Sequence, residues 1–113
     1  MVIYKITTFQ EWNAALAKGE FSGSALDIRD GFIHLSTVSQ APDTARLHFA
    51  GQPELVLVAI SANTVALHLK WEASRGGELF PHVYGPLQTS DILWVKPLPW
   101  NGTAHAFPEG FKA

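Results

Sequence analysis

Residues 55–60 read Leu55-Val56-Leu57-Val58-Ala59-Ile60, six apolar side chains with no polar one among them. Strand side chains alternate between two faces, so an unbroken apolar run of this length reads as a strand buried on both faces. Such a strand belongs inside a sheet, with packed layers on either side of it. Working outward, the N-terminal half reads strand, helix, strand, helix. Residues 2–6 are strand-like. Thr8 and Glu11 spell a capping box that opens a helix, with Phe9, Trp12 and Leu16 on one face and Gly19 as its stop. Residues 31–37 read as a second strand. A second helix is expected over 40–50, with Pro42 tolerated in its first turn and Gly51 as its stop. The C-terminal half is richer in strands. In 65–71, Val65, Leu67, Leu69 and Trp71 alternate with Ala66, His68 and Lys70, and 80–84 and 92–96 complete the set. Two early helices followed by strands predict an α+β fold around a compact mixed sheet, not a βαβ repeat.

A chain of 113 residues is expected to form a single domain over 1–113. It has no cysteine, which excludes disulfides, thiolate metal sites and a cysteine nucleophile. Eight Lys+Arg against ten Asp+Glu give a net charge of −2, with no basic footprint for bulk nucleic acid. The start carries no charged head followed by an apolar run, and no stretch is long enough to cross a membrane, so a cytoplasmic protein is expected. Charged residues make up 16% of the chain, against about 25% in ordinary domains. A surface this poor in charge suits a partner interface, as monomer or homodimer, or a pocket. The stretch 97–113 is rich in Pro and Gly yet carries Trp100, Phe107 and Phe111. The core is therefore taken as 1–98 and residues 99–113 as a tail lying against it.

Two of the strands share a pattern. Phe32-Ile33-His34-Leu35-Ser36 and Phe80-Pro81-His82-Val83-Tyr84 both place an aromatic, a histidine and a hydroxyl on one face. If the strands approach, two imidazoles converge between aromatic walls. Imidazole titrates near neutrality, so His34 and His82 are candidates for general acid and base. Taken singly, each is better explained as a half-buried histidine hydrogen-bonded to its surroundings, and the matched pattern brings the two readings level. Arg75-Gly76-Gly77 offers a guanidinium fork and open backbone N–H groups suited to phosphate or carboxylate, although a plain turn explains the glycines as well. Glu72 is expected to pair with Arg75 on a loop. Asp27, Arg29 and Asp30 precede His34, and one of these carboxylates is a candidate to orient it. His68 is expected to be solvated, His48 to complement a helix C-terminus, and His105 has no role read from its surroundings. No H-x-x-x-H or H-x-H occurs, so no metal site is expected.

Asp30-Gly31-Phe32-Ile33-His34-Leu35-Ser36-Thr37 with Gln40, and Arg75-Gly76-Gly77 with Leu79-Phe80-Pro81-His82-Val83-Tyr84-Gly85-Pro86-Leu87, resemble the bacterial domain of unknown function 952 family. Ile3-Tyr4-Lys5-Ile6 and Trp12 fit its opening, and the resemblance runs to about Leu98. That family is grouped by fold with the ADP-ribosyltransferases, so the resemblance implies an ADP-ribosyltransferase-like fold. It also implies departures from that chemistry. Tyr4-Lys5 fall where a histidine is expected, His34 lies near an aromatic stacking position, and His82 replaces the catalytic glutamate. Ordinary ADP-ribosyl transfer is therefore not expected. The resulting expectation is a pocket for an anionic or nucleotide-like small molecule, NAD or ADP-ribose in type. His34 and His82 would be the acid–base pair, and Lys5, Ser36, Thr37, Arg75, Gly76, Gly77 and Tyr84 the ligand-binding set. The alternatives are a two-histidine enzyme acting on a phosphoester, suggested by His34-Leu35-Ser36, and a dimerising interaction module without catalysis.

Overall fold

The computed structural model describes residues 1–113. The apolar run becomes β4 (Leu55–Ser61), the middle strand of an antiparallel sheet between β1 (Val2–Thr8) and β8 (Trp94–Pro97). Its two faces enter two cores. Val56, Val58 and Ile60 pack with Ile3, Trp12, Phe21 and Ile33. Leu55, Leu57 and Ala59 pack with Tyr4, Ile6, Ala45 and Leu98. Each fully buried Leu, Val or Ile there contributes roughly 1.5–3 kcal/mol relative to exposure.

A second three-stranded sheet is ordered β3-β6-β5, from β3 (Ile33–His34), β6 (Leu79–Val83) and β5 (Leu69–Ala73). Two further short strands, β2 (Glu20–Phe21) and β7 (Leu87–Gln88), pair by themselves. Every strand pairing is antiparallel, which corrects the expected mixed sheet. The expected strand 31–37 is also shorter, because its chain is handed from one sheet to the other. His34 still pairs with β6, whereas Ser36 exchanges two backbone hydrogen bonds with Tyr4 of β1, at 2.8 and 2.9 Å.

The helix α1 (Phe9–Lys18) carries the expected capping box. The Glu11 amide donates to the Thr8 hydroxyl at 3.0 Å, and the Thr8 amide donates to the Glu11 carboxylate. Gly19 closes it with φ 88°, a conformation that favours glycine. Trp12 and Ala15 are buried, while Phe9 and Leu16, expected on the same face, are exposed. A short helix, α2 (Ala25–Asp30), lies where no helix was expected. Ser24 and Asp27 form a second capping box for it, and Gly31 ends it. The next helix, α3 (Ala41–His48), has its proline in the first turn, as expected.

The alternating strand expected over 65–71 is mostly absent. Residues Ala62–His68 form a 3-10 helix, and strand begins only at Leu69. Three residues per turn put Ala62 and Val65 on the same side, against the core. Leu67 is left 95% exposed, so its alternation with Val65 and Leu69 was a coincidence of spacing. Near the C-terminus, three residues make contacts with the second core and β1. Phe107 and Phe111 pack on the second core, and the Phe111 and Tyr4 rings are 4.8 Å apart. The Tyr4 hydroxyl donates to the Lys112 carbonyl and accepts from the Lys112 amide. No helix is long and apolar enough to cross a membrane.

Candidate functional site

The β3-β6-β5 sheet has one face in the core and the other toward a cleft. Ile33, Leu69 and Val83 point inward. Alternation then turns His34, His82, Lys70 and Glu72 outward. His34 and His82 are direct cross-strand partners, with ring centroids 5.5 Å apart and planes at 68°. The Phe32 ring stacks on His82 at 4.1 Å and lies 4.6 Å from the His34 ring. The repeated aromatic–histidine pattern therefore builds one cluster.

Each imidazole has its own carboxylate. The α2 helix ends against His34, with Asp27 Oδ1 2.6 Å from Nδ1 and Asp30 Oδ2 3.0 Å from Nε2. Asp27 is 1% exposed and heavily bonded. It accepts from the Ser24 amide at 2.9 Å and the His34 amide at 3.1 Å, and Lys5 Nζ is 2.8 Å from Oδ2. Lys5 also donates to the His34 carbonyl at 3.1 Å. Burial alone would raise the Asp27 pKa, but the His34 hydrogen bond and the Lys5 charge together hold it well below the usual carboxylate range. For Lys5 burial wins, and its ammonium titrates below the ordinary lysine value despite Asp27.

At the second histidine, Glu72 Oε1 is 2.8 Å from His82 Nδ1 and accepts the Tyr84 hydroxyl at 2.7 Å. The Tyr84 bond, then the His82 bond, hold Glu72 below the usual carboxylate range, and the same carboxylate raises Tyr84. This corrects the expected Glu72–Arg75 pair: Glu72 lies on β5, on the face of His82, and not on a loop.

Arg75 forms no ion pair. Its guanidinium lies 4.8 Å over the Phe80 ring, and both terminal nitrogens are 3.4 Å from Thr44 Oγ1. Thr44 Oγ1 is in turn 3.0 Å from Ser36 Oγ. A cavity of about 590 Å³ joins these parts, lined by Lys5, His34, Ser36, Thr44, Arg75 and His82, with Tyr4, Ile6 and Phe49 among its apolar lining. That volume is in the range of small-molecule sites.

Of the residues singled out in the sequence, the fold thus brings Lys5, His34, Ser36, Arg75 and His82 to one cavity. Thr37, Gly76, Gly77 and Tyr84 do not line it. The Thr37 hydroxyl contacts Ser39 and accepts from the Gln40 amide at the entry to α3. Gly76 and Gly77 adopt φ 67° and 77°, and the Gly77 amide is spent on the Ser74 carbonyl at 2.9 Å. They shape a turn that presents Arg75. Tyr84 is linked to the cavity-lining His82 only through Glu72. His48 lines the cavity from the end of α3, and His68 is exposed. His105 is buried, with Nε2 2.8 Å from the Gln52 carbonyl, and ties the tail to the body. Thr44 was missed, since a lone threonine inside a helix carries no pattern. Asp30 and Asp27 were candidates for a single orienting role, and both contact the ring.

The profile of the family described as "Protein of unknown function (DUF952)" matches residues 6–95. The X-ray crystal structure of protein CC0527 from Caulobacter crescentus is similar, with a TM-score of 0.89 at 48% identity over 93% of this chain and 92% of that one. The solution NMR structure of CC0527 gives a TM-score of 0.83 at 49% identity over 92% and 90%. No curated protein matches the chain.

Proposed function

The chain belongs to the DUF952 family, described as of unknown function, and we propose from its site that it binds a small anionic, nucleotide-like molecule in this cavity. The observation that carries the reading is Arg75. It is a guanidinium without a carboxylate partner, steadied by an aromatic face and the Thr44 hydroxyl, in the cavity that also holds the histidine pair. A planar fork in that setting suits the oxygens of a phosphate or carboxylate. The Ser36–Thr44 hydroxyl pair leaves one further donor for the ligand, and Tyr4, Ile6 and Phe49 supply apolar surface for the rest of it.

The same reading takes the frame to be ADP-ribosyltransferase-like. The order of parts supports it: β1 lies beside residues 34–36, that segment leads into α3, and a later strand brings His82 next to it. The transfer reaction does not come with the frame, because a histidine occupies the place of the glutamate and cannot supply its negative charge. A second reading, an acid–base enzyme on a phosphoester, draws on the two carboxylate–histidine pairs.

Calorimetry and thermal shift with NAD, ADP-ribose and mononucleotides test the proposal. We expect at least one of them to bind, and Arg75→Ala to weaken it about tenfold or more, in keeping with about 1.5–3 kcal/mol for a hydrogen bond to a charged group. No binding by any of them, or binding indifferent to Arg75→Ala, His34→Ala and His82→Ala, would overturn it.

A further inference from the structure

Resting on the anionic-ligand reading, we propose that the two histidines divide their labour, and that His82 alone exchanges a proton with the bound ligand, through Nε2. The ligand class that uses this arrangement is a phosphate ester carrying a free hydroxyl.

The geometry separates the two rings. Each nitrogen of His34 has a carboxylate oxygen against it: Nδ1 is hydrogen-bonded to Asp27 at 2.6 Å, and Nε2 lies 3.0 Å from Asp30 in an ion-pair contact, although the side chain is 28% exposed. With a carboxylate oxygen against each nitrogen, the ring presents no free lone pair to a ligand. Its work is positional, since it ties β3 to α2 and forms one wall of the cluster. His82 is only 4% exposed, and its ring is packed under Phe32 at 4.1 Å. Its Nδ1 faces Glu72 at 2.8 Å, whereas Nε2 has no hydrogen-bond partner in the protein, and the residue lines the cavity. An ionised carboxylate only accepts, so in the neutral ring Nδ1 carries the hydrogen and Nε2 keeps the lone pair. Glu72 is thus a positioning residue that presents a base to the cavity.

Ligand chemistry follows from what surrounds that nitrogen. Phe80, under the Arg75 guanidinium, and His82 are two residues apart on one face of β6, roughly 7 Å along the strand. A phosphate on Arg75 and a hydroxyl of the attached sugar or polyol span such a gap. In the step proposed, the ligand O–H proton passes to Nε2 and the oxygen keeps the bonding pair. The new charge on the ring is met by Glu72 through Nδ1–H, and the reverse transfer returns the proton. The groups facing His82 are Glu72 and Lys70 on β5, Tyr84 just past the end of β6, and His34 on β3 with Asp27 and Asp30 behind it. Lys70 is the cross-strand neighbour of His82, with Nζ 4.7 Å from the Tyr84 ring centroid, and it opposes the imidazolium that Glu72 favours.

Nitrogen NMR on the full chain with labelled histidine tests this directly, with inorganic phosphate, AMP and ADP-ribose as probes. In the free protein, neutral His82 should show a protonated Nδ1 and a bare Nε2. Glu72→Ala should abolish that preference, and Glu72→Asp should restore part of it. AMP or ADP-ribose, which carry hydroxyls, should move His82 Nε2 and leave the His34 nitrogens in place, and phosphate alone should move neither ring. A proton on His82 Nε2 in the free protein, or a probe that moves His34 and not His82, overturns the division of labour while leaving the anion pocket standing. Failure of all three probes to bind overturns both.

Discussion

Two carboxylate–histidine pairs lie side by side, and they differ in everything except chemistry. Asp27 is buried, meets an ammonium and two backbone amides besides the His34 ring, and is fixed in a capping box. Glu72 is half-buried on a strand and serves only His82 and Tyr84. The first pair joins β1, α2 and β3 into one unit. The second leaves one imidazole nitrogen open to the cavity. A carboxylate–histidine contact is therefore no signature of function by itself. The burial of the carboxylate, and the number of donors it already serves, decide whether the pair holds the fold or faces a ligand.

The largest effect expected is at Asp27. Asp27→Ala leaves the Lys5 ammonium buried without its partner, and breaking a buried pair costs about 3–5 kcal/mol. Urea denaturation measures it. The double variant Lys5→Met/Asp27→Leu should lose less than the sum of its single changes, because it removes the stranded charge. If Asp27→Ala unfolds at the wild-type midpoint, the distinction between the two pairs collapses.

The same pair sets an acid limit. The Asp27 pKa is depressed in the folded chain, so between its folded and unfolded values the unfolded chain binds more protons. The stability it contributes is fully present above the unfolded value, about 3.9, and is lost as pH falls through the folded one. Acid unfolding of Asp27→Asn should be flatter below about pH 4 than that of the wild type. Parallel acid curves would show that Asp27 is not the group responsible.

These pairs also mark how far the sequence could be read. Strand β4, the first capping box and the histidine pattern were legible because each rests on local periodicity or capping spacing. The carboxylate partners were legible only in part. Asp27 lies in a helix that opens with Ser24-x-x-Asp27, a capping signal present in the sequence but shorter than the usual reading window. Glu72 reads as a loop residue in the sequence because the run from Val65 to Trp71 mimics strand alternation and shifts the register of everything after it. Which strands are neighbours, and hence that His34 faces His82, is a long-range pairing that no local pattern encodes. The expected mixed sheet failed for the same reason, since the sequence does not mark where residues 33–36 leave one sheet for the other.

Phe32 is where the two pairs touch, because its ring contacts both imidazoles. Phe32→Leu keeps most of the apolar volume and loses the ring contacts, a change of about 1 kcal/mol. The thermal midpoint should fall slightly, while the proton signals of both histidine rings shift. A shift at one ring alone would mean that the clusters are independent, and that the wall they share is only a neighbour.

Tyr84→Phe should give the smallest effect and the sharpest comparison. It removes one of the two donors on Glu72 and leaves the aromatic ring beside Phe32. Tyr84 is the main cause of the depressed Glu72 pKa, so that carboxylate should titrate closer to the ordinary glutamate value in the variant. Carbon NMR of labelled glutamate reads this shift directly. Stability should barely change, because the hydroxyl and the carboxylate it leaves are both within reach of water and neither is stranded. His82 should keep Glu72 at Nδ1, since that contact does not pass through Tyr84. At Asp27, removing one donor would leave a buried, crowded carboxylate short of a partner. At Glu72, water takes the vacant place. A clear loss of stability in Tyr84→Phe would therefore mean that the second pair is built like the first, and the availability of His82 would lose its physical basis.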